Sequence, residues 1–409
     1  MIHATFQQWS LENKRIFLRA DLNVFHKDGK ITNDFRLKNI LPTLNFILNH
    51  HGSVVLATHL GRPQNKEPEL STKMLIPWFE QQGYSIIFVP DIATIPQLKV
   101  IPKQIVLIEN LRFFPEEKNE DPFFAKQLAR TAHYYINDAF GVIHNHDCSV
   151  TILPFEFPEN RRSIGLLMEK ELRALDMLKN NPPRPFLAIL GGKKIEDKIP
   201  LIRDLLTKVD TIALCPALCF SFLKALGKPV GKSLVDDKML NLCKKIIQDM
   251  EMCRTKYLLP VDYQIAYNSI LLRPSFAKAS EHTQGYEGQV NEQLSIVAAT
   301  DFPDNAIGIS IGPKTVALLT DHINQAKTIF LNCAMGFADK SETRTSTQDI
   351  INAMAQSSAK TIIAGGDSVD VALSTKNYQL IDHLSTGGGA ALAYLSNSLL
   401  PGLIAFEEE

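Results

Sequence analysis

"LLMEKELRALDMLKNNPPRPFLAIL" (166–190) is the stretch whose reading decides the fold. Its first part reads as one helix, over 166–181, ended by the paired prolines Pro182 and Pro183. The chain then enters "PFLAIL" (185–190), a short continuous apolar run of strand length. That run restarts a pattern already present upstream. "RIFLRA" (15–20), "SVVLAT" (53–58), "SIIFV" (85–89), "IVLIE" (105–109) and "YYIND" (134–138) come before it. "DTIAL" (210–214), "KYLLP" (256–260), "KTIFL" (327–331) and "KTIIA" (360–364) come after it. Continuous apolar strands separated by helix-like segments belong to parallel sheets covered on both faces. Two such series predict an α/β chain of two doubly wound, Rossmann-like parallel-sheet domains, over 1–165 and 182–389, with 166–181 as the hinge helix between them.

Composition narrows the function. The chain has 409 residues, too many for one ordinary core. Lys+Arg number 43 against Asp+Glu 44, which argues against a general nucleic-acid or membrane-surface role but leaves room for a local basic patch. The six cysteines, at 148, 215, 219, 243, 253 and 333, follow no framework spacing and read as free thiols. No apolar signal core opens the sequence, and no uncharged apolar run reaches membrane length, so the expected location is the cytoplasm.

Chemistry collects where strands end. Asp21 and Asn23 follow the first strand, at the position where open α/β sheets bind ligands. Asn33 or Asp34 can cap the next helix, which puts Arg36 in its first turn, where a cation opposes the helix dipole and calls for an anion. His59, Gly61 and Arg62 follow the second strand, and Arg112 follows the strand at 105–109. Each residue alone is equally well read as a surface or structural group. Three strand-end loops that each deliver an arginine suggest a cleft for a small, multiply anionic ligand. In the second half, "AILGGKKIEDKIP" (188–200) sets two glycines before Lys194 and Lys198, which share a face if the segment is helical. "TIIAGGDSVD" places Gly365 and Gly366 before Asp367 and Ser368 at a helix cap, and "HLSTGGGAALAYL" opens another helix on three glycines. Glycine turns of this kind aim backbone N–H groups at phosphate oxygens, and Asp367 could hold Mg²⁺. Neither GxxxxGK[ST] nor GxGxxG occurs at these turns. The sum is phosphoryl transfer, with nucleotide on the second domain and closure about the hinge helix.

At this point the sequence resembles the phosphoglycerate kinase family over nearly its whole length. The matching segments are "RADLNV", "THLGRP", "ENLRFFPEE", "INDAFG", "LLMEKEL", "AILGGKKIEDK", "PVGKSLVDD", "LPVDY", "IGPKT", "GGDSV" and "STGGGA", in the family's order. The resemblance implies reversible transfer between 1,3-bisphosphoglycerate and Mg-ADP, giving 3-phosphoglycerate and ATP. It also implies a monomer, with about 390–409 returning to the first domain. Carried over, Asp21, Leu22, Asn23, Arg36, His59, Leu60, Gly61, Arg62, Arg112, His144 and Asn145 would bind the phosphoglycerate. Arg36 and Lys194 would stabilise the transferring group. Lys194, Lys198, Gly312, Asn332, Asp339, Gly365, Gly366, Asp367, Ser368, Gly387 and Gly388 would serve the nucleotide, with Asp367 on the metal.

The chain departs from the family pattern at several places. Cys215-Pro216-Ala217 stands where the family has three glycines beside the adenine, and Cys333-Ala334 replaces Gly-Pro. Asp339 replaces a ribose-binding glutamate, and Ser310 replaces an aspartate. In "HNHDC" (144–148), Asn145 stands where the family has a substrate-gripping arginine. That pentapeptide also admits a zinc site or a Cys148 nucleophile, and hence a metal-dependent hydrolase. The alternative within the family is a catalytically impaired or nucleotide-altered relative that binds phosphoglycerate as a regulator.

Overall fold

The computed structural model of the chain describes residues 2–24, 26, 27, 29–193, 195, 196, 198–267, 294–338 and 340–407. They form two compact units: one comprises 1–176, 389–394 and 398–409, the other 177–388 and 395–397. The division falls inside the helix Leu166–Lys179. That helix stops short of the prolines, and Asn181 turns the chain with φ +56°.

The first unit is built on a six-stranded sheet. Its strands are β1 (Arg15–Ala20), β4 (Ser53–Ala57), β5 (Ser85–Val89), β6 (Gln104–Ile108), β7 (Tyr134–Asp138) and β8 (Arg162–Ile164), and a two-stranded ribbon of β2 (His26–Lys27) and β3 (Lys30–Ile31) follows β1. The order is β5-β6-β4-β1-β7-β8, with every pair parallel. Both faces are covered because side chains alternate along each strand. Ile16, Leu18, Val54, Leu56, Ile105 and Leu107 face one core, with Leu44, Trp78 and Phe79. Phe17, Val55, Val106, Ile108 and Tyr135 face the other, with Phe124, Leu128 and Leu153.

The second unit has a parallel sheet of β9 (Phe186–Leu190), β10 (Thr211–Leu214), β11 (Lys256–Leu258), β15 (Thr328–Asn332), β16 (Lys360–Ile363) and β17 (His383–Leu384), in the order β11-β10-β9-β15-β16-β17. A separate antiparallel sheet, β13-β12-β14, joins β12 (Asp262–Ala266), β13 (Ser295–Ala298) and β14 (Ile307–Ile311). The apolar-run criterion does not detect this sheet. β12 carries polar residues between its apolar ones and has a register shift at Gln264/Ile265, and β13 is half-exposed. In both parallel sheets the strand order reverses beside the first strand, β1 or β9. The loops after them, at Asp21 and Gly191, therefore sit where an open α/β sheet offers a crevice.

Candidate functional site

In the first unit the loops after β1, β4 and β6 are tied to one another by their own polar groups. Asn23 Oδ1 accepts from the Gly61 amide at 2.8 Å, and Thr58 Oγ1 accepts from the Leu22 amide at 2.9 Å. Asn110 Nδ2 donates to Leu60 O at 2.8 Å, and Arg112 Nη1 donates to Gly61 O. Arg36 lies in the first turn of the helix Phe35–Asn39, as expected, but its compensating anion is a protein group. Its Nη1 donates to Asp21 Oδ1 at 2.7 Å and to Asn23 O at 3.2 Å. The structure thus brings Asp21, Asn23, Arg36, His59, Gly61 and Arg112 together, with Arg62 exposed beside them. The side chains of Leu22 and Leu60 are buried, so at these two positions it is the backbone that borders the loops.

Charge is concentrated here. His59 is almost wholly buried, and its imidazole is held well below its usual value, first by burial and then by Arg19, Arg112, Arg36 and Lys118. Burial likewise lowers Arg112, whose Nε is enclosed without a partner among the described residues. Sequence reasoning missed the support beneath His59. Arg19 is fully buried, with Nε donating to Ser149 Oγ at 2.8 Å, Nη1 to Ala20 O at 2.7 Å, and Nη2 lying 3.4 Å from His59 Nδ1. Glu117, whose carboxyl is raised by burial, accepts from Ser149 Oγ at 2.6 Å and lies 3.9 Å from Arg19. The available signal was two arginines, Arg15 and Arg19, in a strand whose other residues are apolar, since a buried charge requires partners.

The pentapeptide at 144–148 joins the same neighbourhood. Asp147 is buried and paired with Lys118, and Asn145 Nδ2 reaches it at 3.4 Å. His146 points to Glu120 at 3.2 Å, and His144 is exposed near Gly389. Among the described residues, no three His, Cys, Asp or Glu side chains converge as ligands. Cys148 is buried, its thiol is raised by burial, and its Sγ faces Asp121 O at 3.1 Å, an environment that disfavours a nucleophilic thiolate.

In the second unit Lys198 is the residue before the helix Ile199–Leu205, while Lys194 and Asp339 lie outside the described residues. Lys198 and Asn332 are both buried, and Nζ donates to Asn332 Oδ1. Asn332 Nδ2 donates to Ala364 O at 2.9 Å and touches Gly365. Gly365, at φ +104°, caps the helix Gly366–Ser374, and Asp367 is exposed within its first turn. This corrects the placing of Asp367 at the cap itself. The two glycine turns press together, because a Cβ on Gly388 would lie 2.6 Å from Gly365 Cα. Ser368 is buried against the same turn, and the Gly387 amide is taken by Ser385 Oγ at 3.2 Å. Gly312 instead packs on Asp262, where a Cβ would meet the carboxylate at 2.4 Å. A hollow of about 340 Å³ is lined by residues including Lys193, Ala217, Ser221, Leu234 and Asp236. Cys215 and Cys333 are buried outside that lining, flanking Gly191.

Comparison with known proteins places these groups in context. The family model described as phosphoglycerate kinase matches residues 6–398. The phosphoglycerate kinase of Finegoldia magna is 36% identical over 99% of both chains, and that of Koribacter versatilis is 37% identical over 99% of both. Among solved structures, the phosphoglycerate kinase of Coxiella burnetii superposes with a TM-score of 0.81 at 27% identity, covering 99% of both chains. That of Pyrococcus horikoshii superposes with 0.83 at 25% identity, covering 99% of this chain and 98% of its own.

Proposed function

The chain belongs to the phosphoglycerate kinase family, phosphotransferases with a carboxyl group as acceptor, and from that premise we propose which of its residues do the work. The reaction is reversible transfer of a phosphoryl group between 1,3-bisphosphoglycerate and ADP, giving 3-phosphoglycerate and ATP. An oxygen of the ADP β-phosphate attacks the acyl phosphorus, the bond from phosphorus to the acyl oxygen breaks, and the carboxylate of 3-phosphoglycerate leaves. Little covalent work falls to the protein, so its task is positioning and charge neutralisation.

The observation that carries the assignment is the interlocked cluster of Asp21, Asn23, Arg36, His59, Gly61 and Arg112. Its loops are pre-tied before any ligand arrives, which lowers the ordering cost of binding. Arg36, held by Asp21, has a guanidinium fork for the acyl phosphate, and Arg62 and Arg112 supply further positive charge for the distal phosphate. His144 and Asn145 border the same ligand. On the nucleotide side, Lys198 and Asn332 stand beside the Gly365 turn. The free amides at the start of the helix Gly366–Ser374 suit phosphate oxygens. Lys194 is assigned to the transferring group by resemblance alone, as are Asp339 and Gly312 to the nucleotide. The residues fit Mg²⁺: Asp367 offers one exposed hard carboxylate beside the phosphate turn, and Mg²⁺ is held by one or two carboxylates together with substrate phosphates and water. When bound, the ion neutralises phosphate charge.

Ala217 is the one residue of Cys215-Pro216-Ala217 that lines the hollow, and the hollow is read as the nucleoside side of the site by the resemblance of 215–217 to the family's glycines. The protein is read as a cytoplasmic monomer acting on small molecules; among the described residues no helix is long and apolar enough to cross a membrane. The deciding experiment is a coupled assay of 3-phosphoglycerate with ATP, GTP and pyrophosphate as phosphoryl donors. Turnover is expected with a nucleoside triphosphate, and Arg36→Ala should reduce kcat/KM by roughly a hundredfold or more while the protein stays folded. No turnover with any donor, in protein that still binds 3-phosphoglycerate, would overturn the catalytic reading.

A further inference from the structure

We propose that Arg19 is a positioning residue that fixes the tautomer of His59, leaving the Nε2–H as the one ring proton available to the phosphoglycerate. The inference rests on the assignment of His59 to the substrate site. A guanidinium is only a donor, so the 3.4 Å approach of Arg19 Nη2 to His59 Nδ1 makes Nδ1 the acceptor. The proton of the neutral ring then lies on Nε2, which forms no hydrogen bond to the protein among the described residues.

Arg19 cannot touch the ligand, since it is fully buried in β1. It is instead locked from several directions. Ser149 Oγ and Ala20 O accept from it, and Glu117 balances its charge from the helix Pro115–Lys118 while accepting from Ser149. Protonation of His59 at Nδ1 would break the Arg19 contact. It would also add a positive charge among Arg19, Arg36, Arg112 and Lys118. The acids near these cations are already engaged: Asp21 with Arg36, Asp147 with Lys118 and Glu117 with Ser149. His59 therefore acts as a neutral hydrogen-bond donor of fixed direction among the cations Arg36, Arg112 and Lys118. A directional neutral donor selects oxygen geometry, whereas the arginines supply attraction.

The experiment is nitrogen NMR of protein labelled with ¹⁵N-histidine, with His59 assigned by His59→Gln and followed between about pH 5.5 and 8. The expected result is a single Nε2–H tautomer that does not titrate across this range. The double variant Arg19→Met, Glu117→Gln removes both buried charges together. There, His59 should show a mixed tautomer or a titration, and the KM for 3-phosphoglycerate should rise about tenfold or more with a smaller change in kcat. An imidazolium or Nδ1–H form in the unaltered protein overturns the proposal, and so does a folded double variant with tautomer and KM unchanged. The wild-type spectrum decides the matter even if the variant fails to fold. Failure of the substrate reading would appear separately, as absence of a 3-phosphoglycerate effect on the assigned His59 signal.

Discussion

Asn145 lies beside a cationic cluster without contributing charge, and its side-chain amide donates to Asp147 Oδ2 at 3.4 Å. Asn145→Arg is expected to tighten 3-phosphoglycerate binding by roughly ten- to a hundredfold, the worth of one charged hydrogen bond, as measured by calorimetry. An unchanged Kd would show that the neighbouring cations already saturate the ligand. Asp138 makes a second point at this scale. It receives the Met168 amide at 2.9 Å at the start of the linking helix, and burial raises its carboxyl to about 7 against the pull of Thr43, Met168 and Leu167. The folded form keeps its proton after the unfolded chain has lost it near pH 4. Asp138's contribution is therefore complete below that pH and is lost as pH rises through about 7, at up to about 1.4 kcal/mol per pH unit. Glu117, also raised by burial, adds a slope of the same sign. Asp138→Asn should flatten the dependence of the urea midpoint on pH between about 5 and 7, and an unaltered slope would refute the assignment. Asp138 and Arg19 fall within the matching segments "INDAFG" and "RADLNV", but the segments do not reveal their burial, because burial of a charge is a property of the fold around it.

Strands were legible as elements because a strand covered on both faces must be apolar at nearly every position. β1, β4 and β9 are buried throughout, even at the Arg19 position. The antiparallel sheet β12–β14 was not legible, since polar or glycine positions interrupt its short apolar strands, as at Gln264, Gly308 and Ser310. At the glycine turns the structure gives Gly365 a positive φ and Gly388 a close backbone neighbour, while a Cβ on Gly366 would meet open space. Phosphate approach was the expected cause, yet Gly388 is also required because its turn packs on Gly365 Cα, backbone that cannot move aside as a side chain would. Gly388→Ala should destabilise the second unit by about 1–3 kcal/mol in chemical denaturation and raise the KM for nucleotide. Wild-type stability in that variant would mean that the two turns are free to separate. Ala217→Gly, by contrast, should open the nucleoside hollow and tighten ADP binding in equilibrium titration, with little change in the KM for 3-phosphoglycerate.

At the scale of the whole molecule, the C-terminal residues complete the first unit. Gly402 N donates to Ile143 O at 2.9 Å, Arg162 Nε donates to Ala405 O at 2.9 Å, and Phe406 stacks on Tyr135 at 6.3 Å. Leu403 and Ala405 are buried. Deleting 398–409 removes these contacts and uncovers part of the core behind β7. The expected cost is on the order of 3 kcal/mol or more, from apolar surface returned to water. It should appear as a lowered Tm of the truncated chain, and an unchanged Tm would contradict the packing. Sequence by itself determined the two parallel-sheet series, the linking helix and the strand ends that carry Arg36, His59, Arg112, Lys198 and Asp367. Those features follow from local periodicity and from chain chemistry at strand termini. Only the tertiary structure decided that Arg36 is held by Asp21, that Arg19 and Glu117 stand behind His59 and that Gly388 abuts Gly365. These are contacts between residues far apart in the chain, set by sheet order and burial, and no local pattern encodes them.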